Sequence, residues 1–180
     1  MSRKIKVSIL LLIAGFVLIV FATFNEVFGD IGGPGGVDAD TWSRSLESLL
    51  MNAGPILTSV LLLISIGNKS IILRRIAYGL LALFCIFNLL EDLWPPITGE
   101  EGLLIIYVTV GFLSLLAGCV LLFLSAEKCG IGFMIAIIIC IAGSLCGLFT
   151  ILYTFPVVAG LLINRDKCIL DREACGTCKP

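Results

Sequence analysis

Apolar runs of membrane-spanning length take up most of this chain, and nearly all of its charged residues fall between those runs or at their ends. A span needs about 20 mostly apolar residues to cross about 30 Å of hydrocarbon. Five stretches meet that requirement: 5–24, 49–67, 71–90, 103–125 and 130–154. With 59% hydrophobic and 14% charged residues, against about 25% charged in soluble domains, a soluble core is excluded. The expected fold is all-α, a polytopic transmembrane helical bundle of five spans with the amino terminus inside; six spans is the alternative. Residues 1–164 form the bundle and 165–180 a polar tail carrying cysteines. Too little chain lies outside lipid for a second, soluble domain.

Sidedness is read from lysine and arginine, which accumulate on the cytoplasmic side of short loops. Arg3, Lys4 and Lys6 precede the first span, Lys69, Arg74 and Arg75 flank the second-to-third turn, and Lys128 lies in the fourth-to-fifth turn. The opposite loops carry only Arg44, together with Glu26, Asp30, Asp38, Asp40, Glu47, Glu91, Asp92, Glu100 and Glu101 and both tryptophans, Trp42 and Trp94. The basic start also resembles that of a secretory signal. Its apolar stretch exceeds the 7–15 residues of a signal core and no clear small-x-small site follows, so it is read as a retained span.

The carboxyl end is the least determined part. Residues 130–163 form one apolar run of 34, about 50 Å as helix, which is long for one upright span and short for two. With no charged or strongly polar turn in the middle, and with Tyr153, Phe155 and Pro156 suited to an outer boundary, the expected arrangement is one span and an extracytoplasmic tail. Arg165, Lys167, Arg172 and Lys179 favour the six-span alternative. A repeat with a shift of 60 residues lays Val60, Leu61, Leu62 and Ser65 on Val120, Leu121, Leu122 and Ser125, Ile71 on Ile131, and Pro96 on Pro156. It suggests one helix followed by two related hairpins.

Helices in lipid associate where small side chains let backbones approach. Ser8, Gly15 and Ala22 in span one, Ser114 and Gly118 in span four, and Ala136, Cys140, Gly143, Ser144 and Gly147 in span five recur at helical spacing and are read as packing seams. They serve either bundle packing or the docking of another membrane subunit. Ionisable residues inside a span mark transport or proton relay. The spans lack them, since Glu47, Arg74, Arg75, Glu91 and Asp92 sit within about a turn of an end, in reach of water. Asn52 and Asn88 are the main polar side chains toward the interior, and Pro55 with Ser59 suggests a kinked polar site.

No histidine occurs, which removes the residue most used for haem ligation, zinc catalysis and proton relay. A Ser-His or Cys-His nucleophile pair is impossible. The glycine cluster Gly32, Gly33, Pro34, Gly35, Gly36 lacks the Lys-Ser/Thr of a phosphate loop. Asp38 and Asp40 lack the further carboxylates of a calcium loop. Of eight cysteines, Cys85, Cys119, Cys140 and Cys146 lie in spans as small apolar packers, and Cys129 sits at an inner turn as a possible acylation position. Cys168, Cys175 and Cys178 cluster in the tail. Cys175-Gly-Thr-Cys178 resembles the redox pair of the thioredoxin family over four residues, with Thr177 in place of the usual proline and no βαβ unit around it. An extracytoplasmic tail implies a structural disulfide; a cytoplasmic one implies thiolates able to bind metal with a partner's donor.

Three function classes follow. The first is a non-catalytic multi-pass protein of the cell membrane, an accessory or scaffold subunit of a membrane complex or a homo-oligomer. The second is a thiol-disulfide or metal-binding membrane protein acting through the tail, and the third a small transporter or channel for a weakly polar or cationic solute, favoured by the repeat and the outer carboxylates. No catalytic residue and no resident cofactor or metal is expected. The partners are the lipid bilayer and membrane protein, not nucleic acid.

Overall fold

The computed structural model describes residues 3–31, 39–93, 102–126, 130–145 and 150–174. It contains six helices: α1 (Arg3–Ile31), α2 (Ala39–Asn68), α3 (Ile71–Leu93), α4 (Gly102–Leu124), α5 (Ile131–Ser144) and α6 (Ile151–Ala174), and no strand among the described residues. Helix is what an apolar solvent demands, because every N–H and C=O must be paired within its own segment. Among the described residues, three helical stretches are long and apolar enough to cross a membrane, Arg3–Asn25, Ile71–Leu90 and Ile105–Leu124; Asn52–Asn68, Ile131–Ser144 and Ile151–Arg165 are shorter apolar helices.

Each of the first five helices neighbours the next in space, with connections too short to run back along a helix. Seven residues reach at most about 25 Å, less than the length of α1 or α2, so those two form an antiparallel hairpin. The same reasoning holds for α3 with α4 and for α4 with α5. The α2–α3 turn is the tightest. The N–H of Ser70 donates to the Ser65 carbonyl at 3.1 Å and that of Lys69 to the Ile66 carbonyl at 3.4 Å, a Schellman pattern that satisfies the last carbonyls of α2. Lys69 takes the left-handed conformation at φ 50°. Ser70 then opens α3, accepting a hydrogen bond from the Leu73 N–H at 3.3 Å.

The fifth predicted span is not one helix. α5 ends at Ser144 and α6 begins at Ile151, so the run 130–163 is divided between two helices, and Pro156, expected at a span's end, stands inside α6. Hydroxyls supply what a charged turn would have supplied. Thr150 Oγ1 donates to the Ser144 carbonyl, Thr154 Oγ1 donates to the Thr150 carbonyl at 2.9 Å, and the Ser144 and Thr154 hydroxyls lie 3.2 Å apart. The backbone freed by the break is thus held by side chains that an inventory of charges overlooks.

Contacts along α4 give the direction of the last two helices. Running down α4, Gly111 faces Thr150, the Phe112 ring meets Tyr153 edge-on at 5.5 Å, Gly118 faces Val157, and the Leu122 carbonyl accepts from Asn164. α6 therefore runs parallel to α4. Against the same helix, Ser114 faces Gly143 and Gly118 faces Cys140, so α5 runs the opposite way. Asn164 thereby returns to the end of the bundle that holds the α2–α3 turn, and α6 continues past Arg165 to Ala174.

α6 is the central helix. Nine of its residues between Tyr153 and Asn164 are buried, it packs against α1, α2, α4 and α5, and among its described residues only Ile151 is an exposed large apolar side chain. The outer helices present apolar stripes: Val7 to Phe24 on α1, Leu46 to Ile64 on α2, Ile72 to Leu90 on α3 and Ile106 to Leu124 on α4. Each is about 26 Å long at 1.5 Å per residue, close to the thickness of a bilayer's hydrocarbon.

Glycines set the closest approaches. A Cβ on Gly15 would lie 2.7 Å from Phe155 Cβ, and one on Gly143 2.9 Å from Ser114 Cβ, whereas one on Gly79 meets nothing within 4 Å. Gly15→Ala and Gly143→Ala are expected to destabilise the folded protein by about 1–3 kcal/mol through overpacking. Gly79→Ala is expected to stabilise it by about 0.5–1 kcal/mol through helix propensity. Unfolding equilibria in mixed detergent micelles check both; equal effects at the three positions would contradict this packing.

Candidate functional site

A buried polar group gathers at the end of the bundle that holds the α2–α3 turn. Tyr78 on α3 is 1% exposed and donates its hydroxyl proton to Asn164 Oδ1 on α6 at 3.3 Å. Asn164 Nδ2 donates in turn to the Leu122 carbonyl on α4 at 3.3 Å. That carbonyl belongs to the last turn of α4, where the helix has no donor of its own left to offer. Ser125 reaches the same oxygen at 3.4 Å. One asparagine therefore joins three helices, and Gly160 on α6 makes room for it, since a Cβ there would lie 2.7 Å from Cε1 of the Tyr78 ring.

Arg74, one turn before Tyr78 on the same face of α3, is 5% exposed, with its Nε donating to the Ser70 carbonyl at 3.4 Å. This corrects the expectation that Arg74 reaches water: its proximity to the helix end is real, but neighbouring helices cover it. Arg75 is half-buried and lies over the Phe123 ring of α4 at 5.7 Å, a cation–π contact whose strength grows as water is excluded. Thr58 on α2 donates to the Ala77 carbonyl on α3 at 3.3 Å, tying the remaining hairpin to the same region.

The kinked site expected around Asn52, Ser59 and Asn88 does not come together as one hydrogen-bonded cluster in the described contacts. Ser59 Oγ donates to the carbonyl of Pro55 at 2.8 Å, and Asn88 Nδ2 to that of Phe84 at 2.7 Å, each within its own helix. Asn52 is half-buried and has an interaction of its own. Gly54 instead lets the Phe84 side chain seat against α2.

The seam residues fall at helix contacts. Gly15 faces α6, and Ser114 and Gly118 on α4 face Gly143 and Cys140 on α5, while Ser144 closes the α5–α6 turn. Gly147 lies outside the described residues, as do Cys175 and Cys178. Cys168 belongs to the last part of α6, and its side chain is likewise outside the description. Cys85, Cys119 and Cys140 are free thiols, the first two fully buried.

Tyr78, Asn164, Thr58, Thr150 and Thr154 were not singled out from the sequence. A signal for one pair was present: Arg74 and Tyr78 are four apart on a helix whose exposed side chains are otherwise apolar. Asn164 gave a weaker one, as the last residue before Arg165. No family model matches the chain, and neither a curated protein nor a solved structure matches it.

The tie between Tyr78 and Asn164 is testable by a double-mutant cycle. Tyr78→Phe and Asn164→Ala are each expected to destabilise the detergent-folded protein, with a coupling energy of about 0.6–1.7 kcal/mol, the range of interhelical bonds in membranes. Additive effects would show that the two side chains act independently.

Proposed function

We propose that the chain is a non-catalytic multi-pass membrane protein, an accessory or scaffold subunit of a membrane assembly, with both termini in the cytoplasm. One observation carries the functional part. Among the described residues, all twelve buried polar and charged ones, from Ser8 and Thr23 through Thr58, Ser59, Ser65, Arg74 and Asn88 to Ser125, Ser144, Thr150, Thr154 and Asn164, make a hydrogen bond within the bundle. A site for a polar solute presents convergent polar groups to a cavity. Here those groups bond to backbone carbonyls or to one another, which suits a protein that holds helices together and displays its outer faces.

The orientation rests on charge. If the end with the α2–α3 turn is cytoplasmic, Arg3, Lys4, Lys6, Lys69, Arg74, Arg75, Lys128, Arg165, Lys167, Arg172 and Lys179 all belong to segments on that side, which is eleven of the twelve basic residues. Only Arg44 lies opposite, with nine of the thirteen acidic ones. This satisfies the preference of lysine and arginine for the cytoplasm better than an extracytoplasmic tail does. The tail cysteines then sit in a reducing compartment, as free thiols or metal ligands, and not as a structural disulfide.

Extraction in a mild detergent is expected to release the chain in an assembly larger than its monomer; a monodisperse monomer that carries out counterflow in proteoliposomes would replace this reading with a transporter. Cys175 and Cys178 are expected to resist an impermeant maleimide in intact cells and to react once the membrane is opened. Labelling of both before permeabilisation would place the tail outside.

A further inference from the structure

One face of α1 carries charge and hydrocarbon in line. Ser8, Leu12 and Ile19 are fully buried and Gly15 faces Phe155, so these positions turn toward the bundle. At 3.6 residues per turn the opposite face holds Val7, Leu10, Ile13, Val17 and Phe21, and all five are exposed. Arg3 and Lys6 belong to that same outward face and are exposed as well, Arg3 one turn before Val7 and Lys6 one turn before Leu10. Lys4 lies on the other side of the helix, above Ser8, and is half-buried.

This pattern states what an occupant must offer. Its top must be anionic, to meet a guanidinium and an ammonium one turn apart on the helix surface. Below that it must be hydrocarbon. From Val7 to Val17 the apolar wall runs about 15 Å, which is half of the roughly 30 Å hydrocarbon thickness and therefore one leaflet deep. An anionic phospholipid meets both demands in one molecule. A zwitterionic headgroup brings a cation of its own to the same place and loses much of the attraction. The wider charge balance acts in the same direction: the segments at this end carry eleven basic residues and only four acidic ones, whereas Glu26 and Asp30 follow the far end of the α1 stripe. Basic positions at the membrane surface attract anionic lipid in this way.

We infer that the outward face of α1 seats an anionic phospholipid, its phosphate between Arg3 and Lys6 and its acyl chains along Val7, Leu10, Ile13 and Val17. The inference rests on the membrane reading but not on the scaffold role, since it concerns the isolated chain in a bilayer. Arg74 and Arg75 are poorer candidates for the same task because neighbouring helices cover the first and half-cover the second.

The test uses the full chain with Trp42→Phe and Trp94→Phe as background and a single reporter, Leu10→Trp or Phe21→Trp. These two positions are 68% and 67% exposed on one face of one helix, near its basic and acidic ends respectively. Each variant is placed in phosphatidylcholine vesicles doped with brominated phosphatidylglycerol or brominated phosphatidylcholine. The anionic lipid is expected to bind beside the Leu10 reporter about fivefold better than phosphatidylcholine, with no such preference at Phe21. Arg3→Gln with Lys6→Gln is expected to bring the two lipids level at Leu10. Equal quenching by both lipids at Leu10, the same preference at Phe21, or a preference that survives the double substitution would each overturn the inference. In all three cases quenching by phosphatidylcholine leaves the membrane reading standing. Quenching by neither lipid at Leu10 would overturn the inference too, by showing that protein covers the face. Ile13→Trp repeats the measurement should Leu10→Trp not fold, and circular dichroism confirms that each variant is intact.

Discussion

With the bundle in a membrane, as we propose, hydrocarbon as solvent accounts for most of what is seen here. It cannot accept a hydrogen bond, so the backbone is helical wherever lipid is near, and side-chain polarity must find its partner within the protein. It also gives leucine no reason to leave the surface, which is why Leu10, Phe21, Ile72 and Leu83 are more than 60% exposed while Ser8, Thr58 and Ser144 are at 0%. The order familiar from water-soluble proteins is inverted, and contact between helices falls to glycine, small side chains and hydroxyls. Gly15, Gly118, Gly143 and Gly160 each face a side chain on another helix, and Thr58, Tyr78 and Asn164 carry hydrogen bonds across helix boundaries.

α6 shows how far this constraint reaches. A helix surrounded by other helices gives up contact with lipid on nearly every side, so it is the natural place for both an asparagine and a proline. Pro156 removes one backbone donor and crowds the turn before it, a lesser disruption so near the start of the helix. Asn164 performs the reverse service at the far end, donating to a carbonyl that α4 leaves open and accepting from Tyr78. Without α6 the last turn of α4, the Tyr78 hydroxyl and the glycine faces of α1 and α4 would all confront lipid.

Much of this was legible before any coordinates. Apolar run length identified the helical class and placed α3 and α4 within a few residues, and small-residue spacing marked Ser114, Gly118, Cys140 and Gly143 as seam residues, though not that the two seams meet each other. The division of the run 130–163 was not legible by the same means. A count of charged and amide side chains finds no turn there, because the turn is closed by Ser144, Thr150 and Thr154, which are ordinary in an apolar helix as well. The burial of Arg74 was missed for a related reason. Distance along a helix tells how near the end a residue lies, and not what covers that end. The site around Asn164 depends on α6 lying at the centre, so it stayed hidden as long as α6 was merged with α5.

The 60-residue repeat suggested five spans, whereas the described residues form six helices, so the two hairpins are best compared position by position. Ser65 and Ser125 both donate to the carbonyl three residues back, at Leu62 and Leu122, and Ile71 and Ile131 are both the first residue of a helix. The two hairpins thus match at their turns. They diverge further on: α3 continues for 23 residues, but α5 stops after 14. A shift of 60 lays Phe84 and Leu90 in the first copy on Ser144 and Thr150 in the second. A hydroxyl that bonds back to a carbonyl can hold a break in lipid, whereas phenylalanine and leucine leave the backbone no substitute for its helical partner. The shortened second arm turns back as α6, fills the centre between the hairpins, and brings the basic tail to the end where the chain began. The hydroxyls of Ser144, Thr150 and Thr154 thus stand between α5 and α6, and the central place of α6 brings Asn164 to Tyr78 and to the end of α4.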